Sequence, residues 1–429
     1  MLRGTGSTDR VLIRRAEGKR MAKAQEGRPG LGPSGAVEVR VAHMPLGSDF
    51  GPEEGQALLE VLRQDRLTEG PQNTAFQAEF AEMCGVPHAF TMANCSVALI
   101  LAGTLCGLRP GDEVITTPIT YVSTTTSILS CGATPVFADI DPRTFNIDPA
   151  SIEARLTPRT KAIFVVHLFG QCCDMDAINA IARAHDLRVI EDAAHVTGTT
   201  YKGRPAGSLG DAGAFSFHSR KNITTLGEGG MLTTGRADWA ERIPALRGIG
   251  LVHGIAREDP LDYWLPLPYD VDAPDGFIPT NYRMSEAQAA VGRVQLRRVP
   301  EMNARRRAVA RRYTAGLSGL RGITTPHEQF PNEHNYYLYA LLVDSTAGFS
   351  RDALMRMLYR EFGVQAITGY PPAYWFSLYQ KRGYARGLCP VAERVYGNVL
   401  MLPVYARLTD AEIDYVIDSV IQAVRRLQA

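Results

Sequence analysis

The sequence predicts an α/β protein: a large domain built on a mostly parallel central sheet, followed by a smaller α+β C-terminal domain. Three observations carry this expectation. Short apolar runs dominated by Val, Ile and Phe (VITTP, TPVFADI, KAIFVVHLF, LRVIEDA, AGAFSF and GGMLTT) recur along the first half of the chain. The segments between them are long enough for crossover helices, which marks a sheet covered on both faces. After about Arg283 the pattern changes to long helical stretches with a few strands between them. We therefore expect a disordered extension at 1–42, a large domain at 43–295 and a small domain at 296–429.

The elements follow in order. Residues 1–42 are rich in Arg, Lys, Gly and Pro and poor in aromatics, a composition that buries too little apolar surface to order itself. An upstream start codon, with Met21 or Met44 as the natural first residue, is the competing explanation. PEEGQALLEVLRQD has helical spacing, with Leu58, Leu59 and Leu62 on one face. TAFQAEFAEMCG places Phe76, Phe80 and Met83 in the same way, and Gly85 stops it. The strand runs come next. MSEAQAAVGRVQLRRV opens one long helix, and HNYYLYALLVD and GVQAITGYPP read as strands. PVAERVYGNVLMLP, ending at Pro403, and LTDAEIDYVIDSVIQAVRRL read as helices.

Composition narrows the function. The chain has 429 residues, a formal net charge of +1 and 21% charged residues, so no general field draws it to nucleic acid or to an anionic membrane. No apolar run is long enough to span a bilayer, and MLRGTGSTDR lacks the apolar core of a secretory signal. The seven cysteines are irregularly spaced and include no CxxC pair. That argues against a structural metal site or a disulfide scaffold and for reduced thiols in a cytoplasm.

Four stretches carry candidate chemistry. In SFHSRKNITTLGEGGMLTT, Lys221 stands between a strand end and a turn containing Gly227, Gly229 and Gly230. A lysine held in a crevice loses its proton more readily than an exposed one and can form a Schiff base with an aldehyde. A plain surface lysine is the alternative. In EDAAH, Asp192 ends a buried strand, where an acid is costly without a cationic partner. A protonated pyridine nitrogen would be such a partner, and a helix N-cap is the alternative role. ANCSVALILAGTLCG is a strand-to-helix turn whose free N–H groups and dipole suit a phosphate, or are simply capped by Ser96 or Asn94. Tyr121 follows another strand end, placed to stack on a flat ring or to pack in the core.

Together these segments resemble the DegT/DnrJ/EryC1/StrS group of fold-type I pyridoxal-phosphate enzymes, the aminotransferases of deoxysugar and aminocyclitol pathways. Cys95–Leu99 is similar to the family's GT(S/A)AL, and His167–Gly170, followed by Asp174-Met175-Asp176, to its HL(Y/F)G segment. Glu191–His195 is similar to its EDA motif, and Gly207–Phe217 matches GSLGDAGAFSF without a gap. Lys221 falls on the family's SFxxxKN lysine, and Pro279–Met284 is similar to GYNYRM. The resemblance runs from about residue 45 to the C-terminus.

The resemblance implies a role for each position. Lys221 would be the Schiff-base lysine of pyridoxal 5′-phosphate and its proton shuttle. Asp192 would pair with the pyridinium, and His195 would sit near the phenolic oxygen. Ser216 would bind the phosphate, with the Ser96 and Val97 amides, and Tyr121 would stack on the ring. Asn281, or Arg283, would reach the phosphate of a neighbouring subunit, which makes a homodimer with shared active sites. The implied reaction carries an amino group from L-glutamate or L-glutamine to a keto sugar or keto-cyclitol. Other reactions on the same cofactor remain alternatives: an aminohydroxybenzoate synthase-like activity, a sugar dehydratase, or a non-catalytic regulatory homologue. Three departures stand out: Cys95 for the usual glycine, His195 for the commoner glutamine, and His-Ser-Arg after Phe217. Lys221 itself favours transamination over the dehydratase, which carries histidine there. Arg220, Arg247, His253 and Arg257 are candidates for a nucleotide at the mouth, and Tyr370, Tyr374 and Trp375 for the acceptor pocket.

Overall fold

The computed structural model describes residues 38–43, 46–252, 270–271, 277–344 and 347–429. Most of the expected N-terminal extension, with Met21 and Met44, lies outside the described residues, as do His253 and Arg257. A seven-stranded sheet forms the centre. Its strands are β1 (His88–Met92), β2 (Glu113–Thr116), β3 (Thr134–Phe137), β4 (Thr160–Val166), β5 (Arg188–Asp192), β6 (Ala212–Ser216) and β7 (Gly230–Thr234). The order across the sheet is β1-β7-β6-β5-β4-β2-β3. β3, β2, β4, β5 and β6 are parallel, whereas β7 runs against both β6 and β1. Strands β2, β6 and β7 are buried along their whole length, which is why they read as unbroken apolar or small-residue runs rather than as an alternation.

Helices cover both faces. On one face α1 (Pro52–Val61), α2 (Pro71–Cys84) and the 32-residue α7 (Glu286–Leu317) pack together. Phe76 and Phe80 of α2 are fully buried against Phe215 and Phe217, and Gly85 ends that helix in the left-handed region at φ 64°. The other face carries α3 (Cys95–Leu105), α4 (Ser123–Ser130) and α6 (Ala237–Arg247), while α5 (Met175–Ala184) lies in the connection to β5. The expectation for α1 fails in detail. Leu59 is 52% and Leu62 75% exposed, and Val61 and Glu54 are the buried residues. Glu54 is drawn inward because its carboxylate takes Gln295 Nε2 at 2.8 Å and Arg298 Nη1 at 3.0 Å.

The C-terminal part has a three-stranded antiparallel sheet: β8 (Ile323–Thr324), β9 (Tyr339–Val343) and β10 (Val399–Leu402). Helices α8 (Arg351–Phe362), α9 (Pro390–Asn398) and α10 (Asp410–Gln428) accompany it. Three expectations are corrected here. HNYYLYALLVD is strand only from Tyr339, because Asn335 and Leu338 bond back to Gly170 and Phe169 instead. GVQAITGYPP is no strand; Val364 and Ile367 make only isolated bridges. PVAERVYGNVLMLP is helix to Asn398 and then β10. Among the described residues no helix is long and apolar enough to cross a membrane, and no cluster of His, Cys, Asp or Glu could hold a metal ion.

Candidate active site

Strand register brings most of the singled-out residues to one edge. Asp192 ends β5 opposite Val166 of β4 and Ala214 of β6. Gly230, at the start of β7, pairs both with Ser216 at the end of β6 and with Met92 at the end of β1. Residues 93–96 therefore turn into α3 beside the carboxyl ends of the parallel strands, where ligands of such sheets bind. The approach is tight: a Cβ on Gly230 would lie 2.5 Å from the Asn94 carbonyl carbon and 2.8 Å from the Cys95 nitrogen.

Lys221 sits on the turn after β6, its N–H bonded to His218 O at 2.8 Å. Its Nζ lies over the Tyr337 ring, 4.6 Å from the centroid, and it makes no ion pair among the described residues. Asp192 is 5% exposed. Thr124 Oγ1 donates to its Oδ2 at 2.6 Å and the Ala194 N–H to its Oδ1 at 3.1 Å. Both donors are neutral, and no cation lies at ion-pair distance among the described residues. Burial pushes this carboxyl up, against the pull of the Thr124 and Ala194 bonds and of the Lys221 charge.

His195 is buried and stacks on Tyr337, with centroids 4.2 Å apart. Its Nδ1 accepts the Phe169 N–H at 3.4 Å. Burial first, and then the Lys221 charge, hold it well below the usual histidine range. The ring is thus neutral, with its proton on Nε2. Ser216 is buried, and its hydroxyl accepts the His218 N–H at 3.4 Å. Asn94 caps α3, taking the Val97 N–H at 3.1 Å, while the Cys95 and Ser96 N–H groups lie in the first turn ahead of the helical ladder. Burial pushes the Cys95 thiol up, so it is a packed neutral group. Tyr121 is 60% exposed and edge-on to Tyr370 at 6.3 Å.

Asn281 and Arg283 stand apart from this group. Asn281 Oδ1 accepts from Arg283 N and Nε at 3.2 and 3.0 Å, and Arg283 pairs with Glu69 at 3.1 Å. Arg247 is no mouth residue: it is buried, bonded to Thr91 O at 2.7 Å and paired with Glu69 at 3.2 Å. Arg220 is exposed. Tyr374 is packed away, its hydroxyl on Glu393 at 2.7 Å, and Trp375 is covered by Arg386 at 4.0 Å. Tyr370 does join the site, stacked toward His195 and Phe169.

Several residues were not singled out by the sequence. Thr124, the partner of Asp192, hides in a run of threonines. Tyr337 sits in a segment read as strand. Glu191 had a usable signal, since the cost of a buried acid that points to Asp192 applies equally to its neighbour. Glu191 is fully buried and accepts from Gly207, Leu209 and Gly210 N–H at 2.7–2.8 Å and from His167 Nε2 at 2.9 Å. It fixes the loop that leads into β6.

A lysine and a buried acid without an ion-pair partner, at the carboxyl edge of a mostly parallel sheet, are the groups an aldehyde cofactor with a basic ring nitrogen would need. The chain belongs to the DegT/DnrJ/EryC1/StrS aminotransferase family, whose model matches residues 48–421. It is 42% identical over 380 residues to the spore coat polysaccharide biosynthesis protein SpsC of Bacillus subtilis, covering 86% of this chain and 94% of that protein. It is 43% identical over 344 residues to the GDP-perosamine synthase of Caulobacter vibrioides, covering 80% and 87%. The fold is similar to that of the Streptococcus pneumoniae protein Spr1654 in its PLP form, with a TM-score of 0.81, 27% identity and coverage of 90% and 100%. As a family member the chain is an aminotransferase with pyridoxal 5′-phosphate as its cofactor.

Proposed function

We propose that this enzyme carries an amino group from L-glutamate or L-glutamine to the ketone of a sugar or cyclitol, in amino-sugar biosynthesis of the polysaccharide or antibiotic kind. Likeness to a GDP-perosamine synthase supports a nucleotide-linked acceptor. The observation that carries the site reading is Asp192, a buried carboxylate with two neutral donors and no cation. A pyridinium N–H is the partner it lacks, so the residues fit the cofactor.

When bound, pyridoxal phosphate supplies the electron sink for a carbanion at the substrate carbon. The chain supplies the rest. Asp192 keeps the ring nitrogen protonated. The Lys221 amine would hold the cofactor and, once released, would serve as the general acid and base that moves the proton. His195, with Nδ1 satisfied by Phe169, would have its Nε2–H to offer the phenolic oxygen. The Ser216 hydroxyl and the Ser96 amide in the first turn of α3 would take the phosphate, joined by the Val97 amide where the phosphate displaces its Asn94 cap, and the helix dipole favours an anion there. The half-exposed ring of Tyr121 is available to lie against the cofactor.

Asn281 and Arg283 are assigned to the phosphate of the adjoining subunit in a homodimer. Seven unpaired cysteines support a reducing, cytoplasmic setting. A large unit at 43–295 and a small one at 296–429, joined through α7, complete the proposal.

The test is spectroscopic. The purified protein is titrated with L-glutamate and L-glutamine separately, and a nucleotide-linked keto sugar is then added. Conversion of the bound cofactor by one donor, and its return on adding the ketone, is expected. A spectrum unchanged by every amino acid sinks the transaminase assignment for this chain.

A further inference from the structure

We propose that Arg306 is a positioning residue for Lys221, clamping the N-terminal strap at Gly47 and the loop at Tyr337 onto opposite sides of the lysine turn. The proposal rests on Lys221 being the cofactor lysine and adds the device that holds it.

Arg306 lies on α7 with its side chain fully buried. Nη2 donates to Gly47 O at 2.6 Å. Nη1 donates to Val404 O at 3.0 Å and is shared with Tyr336 O and Tyr337 O at 3.4 Å. Every acceptor is a backbone carbonyl, and no carboxylate pairs with it among the described residues. Its Nε–H has no partner among the described residues. Burial draws this guanidinium down to about 10. An unpaired buried cation is expensive, and an apolar side chain of similar volume would pack α7 without that cost. The guanidinium is explained by what it connects, because only a planar fork reaches carbonyls in several directions at once.

One connection is the strap. The Gly47 N–H donates to Ser219 O at 2.9 Å, and a Cβ on Gly47 would overlap the carbonyl oxygens of Arg220 and Lys221. The strap therefore lies directly on the backbone of the lysine. It is moored beyond that point by Arg40 and Val41 N–H to Gly363 O at 2.9 and 3.2 Å, and by Ser48 beside Met302. The other connection is Tyr337, whose ring sits against Lys221 Nζ and stacks on His195. One side chain thus secures the lysine backbone on one side and the ring against its amine on the other.

The experiment compares the full-length wild type with Arg306→Lys, Arg306→Ala and Gly47→Ala. Amide hydrogen exchange is read on cofactor-free protein, and pyridoxal phosphate affinity by absorbance titration. In both Arg306 variants exchange at residues 219–221 and 335–338 should rise together, and the cofactor Kd should rise about tenfold or more. Millimolar guanidinium, but not ammonium at equal ionic strength, should restore Arg306→Ala. Gly47→Ala should loosen 219–221 alone. Should Arg306→Ala fail to fold, the other two variants carry the comparison. Wild-type exchange and affinity in Arg306→Lys would overturn the clamp, as would faster exchange spread evenly over α7 and α10. A wild type that binds no pyridoxal phosphate would refute the reading of Lys221, while the exchange data would still decide whether Arg306 couples the two loops.

Discussion

Replacing Asp192 by asparagine keeps the shape of the side chain and removes its charge. In the cofactor-free chain two effects oppose each other. The carboxylate is buried and its pKa is raised, so its ionisation opposes folding above the folded pKa, a penalty that disappears as pH falls to the unfolded value of 3.8. Asparagine removes that penalty. It also weakens the bonds from Thr124 Oγ1 at 2.6 Å and the Ala194 N–H at 3.1 Å, because hydrogen bonds to a charged acceptor are worth about 1.5–3 kcal/mol each. The apo protein should therefore change little in stability at neutral pH. On the proposed assignment the holoenzyme has no such compensation, since the pyridinium would lose the anion assigned to it. We expect Asp192→Asn to lose about 1.5–3 kcal/mol of cofactor binding, roughly a 10- to 150-fold rise in Kd, together with most of its turnover. Urea unfolding with and without saturating pyridoxal phosphate separates the two terms. A variant that binds the cofactor as tightly as wild type and turns over as fast would refute the assignment of Asp192.

Four further outcomes are expected. Lys221→Ala should fold, release its cofactor on dialysis and lack transamination, checked by absorbance and product assay; activity in that variant would remove Lys221 from the mechanism. Gly230→Ala should cost about 1–3 kcal/mol through overlap with Asn94 and Cys95 and weaken cofactor binding at the α3 turn, measured by thermal melts and titration. His43 titrates at about 4, His334 at about 3 and His195 well below 6.5, burial being the first cause for each. Each is neutral when folded and gains a proton on unfolding below 6.5. Stability is therefore fully present above that pH and falls as pH drops, by about 1.4 kcal/mol per pH unit per histidine, read from urea midpoints. Mixing inactive Lys221→Ala with inactive Asn281→Ala chains should restore roughly a quarter of wild-type activity if active sites are shared across a two-fold dimer; no recovery would place Asn281 in its own subunit's site, and an Asn281→Ala chain active by itself would remove it from the site.

The sheet was legible because most of its strands are buried on both faces and so read as unbroken runs. The long α7 was legible from its periodicity, and its start at Ser285 is sealed by a capping box with Gln288. The errors came where tertiary contacts overrode local pattern. Residues 335–338 have strand-like composition but are spent on Gly170 and Phe169. The apolar face of α1 lost its place to the polar contacts of Glu54. For the candidate site, Lys221, Asp192 and Tyr121 were singled out because they follow or end strand-like runs. Thr124 lies 68 residues from Asp192, and Arg306 lies 259 from Gly47. No periodicity or motif spans such separations, so these partners emerge only once the chain is folded.

Helix α7 leaves the 281–283 segment at one end, carries Arg306 past the lysine turn and delivers the chain to the C-terminal sheet. Each added residue in an α-helix advances the chain by about 1.5 Å and rotates everything beyond it by about 100°. A single insertion between Ser285 and Arg306 would swing the guanidinium away from Gly47 and Tyr337 together. Descendants of this sequence can therefore gain or lose residues in the irregular backbone at 325–328, ahead of the anchored residues that lead into β9, but not within the helix. Length variation among relatives should be written into that loop, and α7 should keep its count.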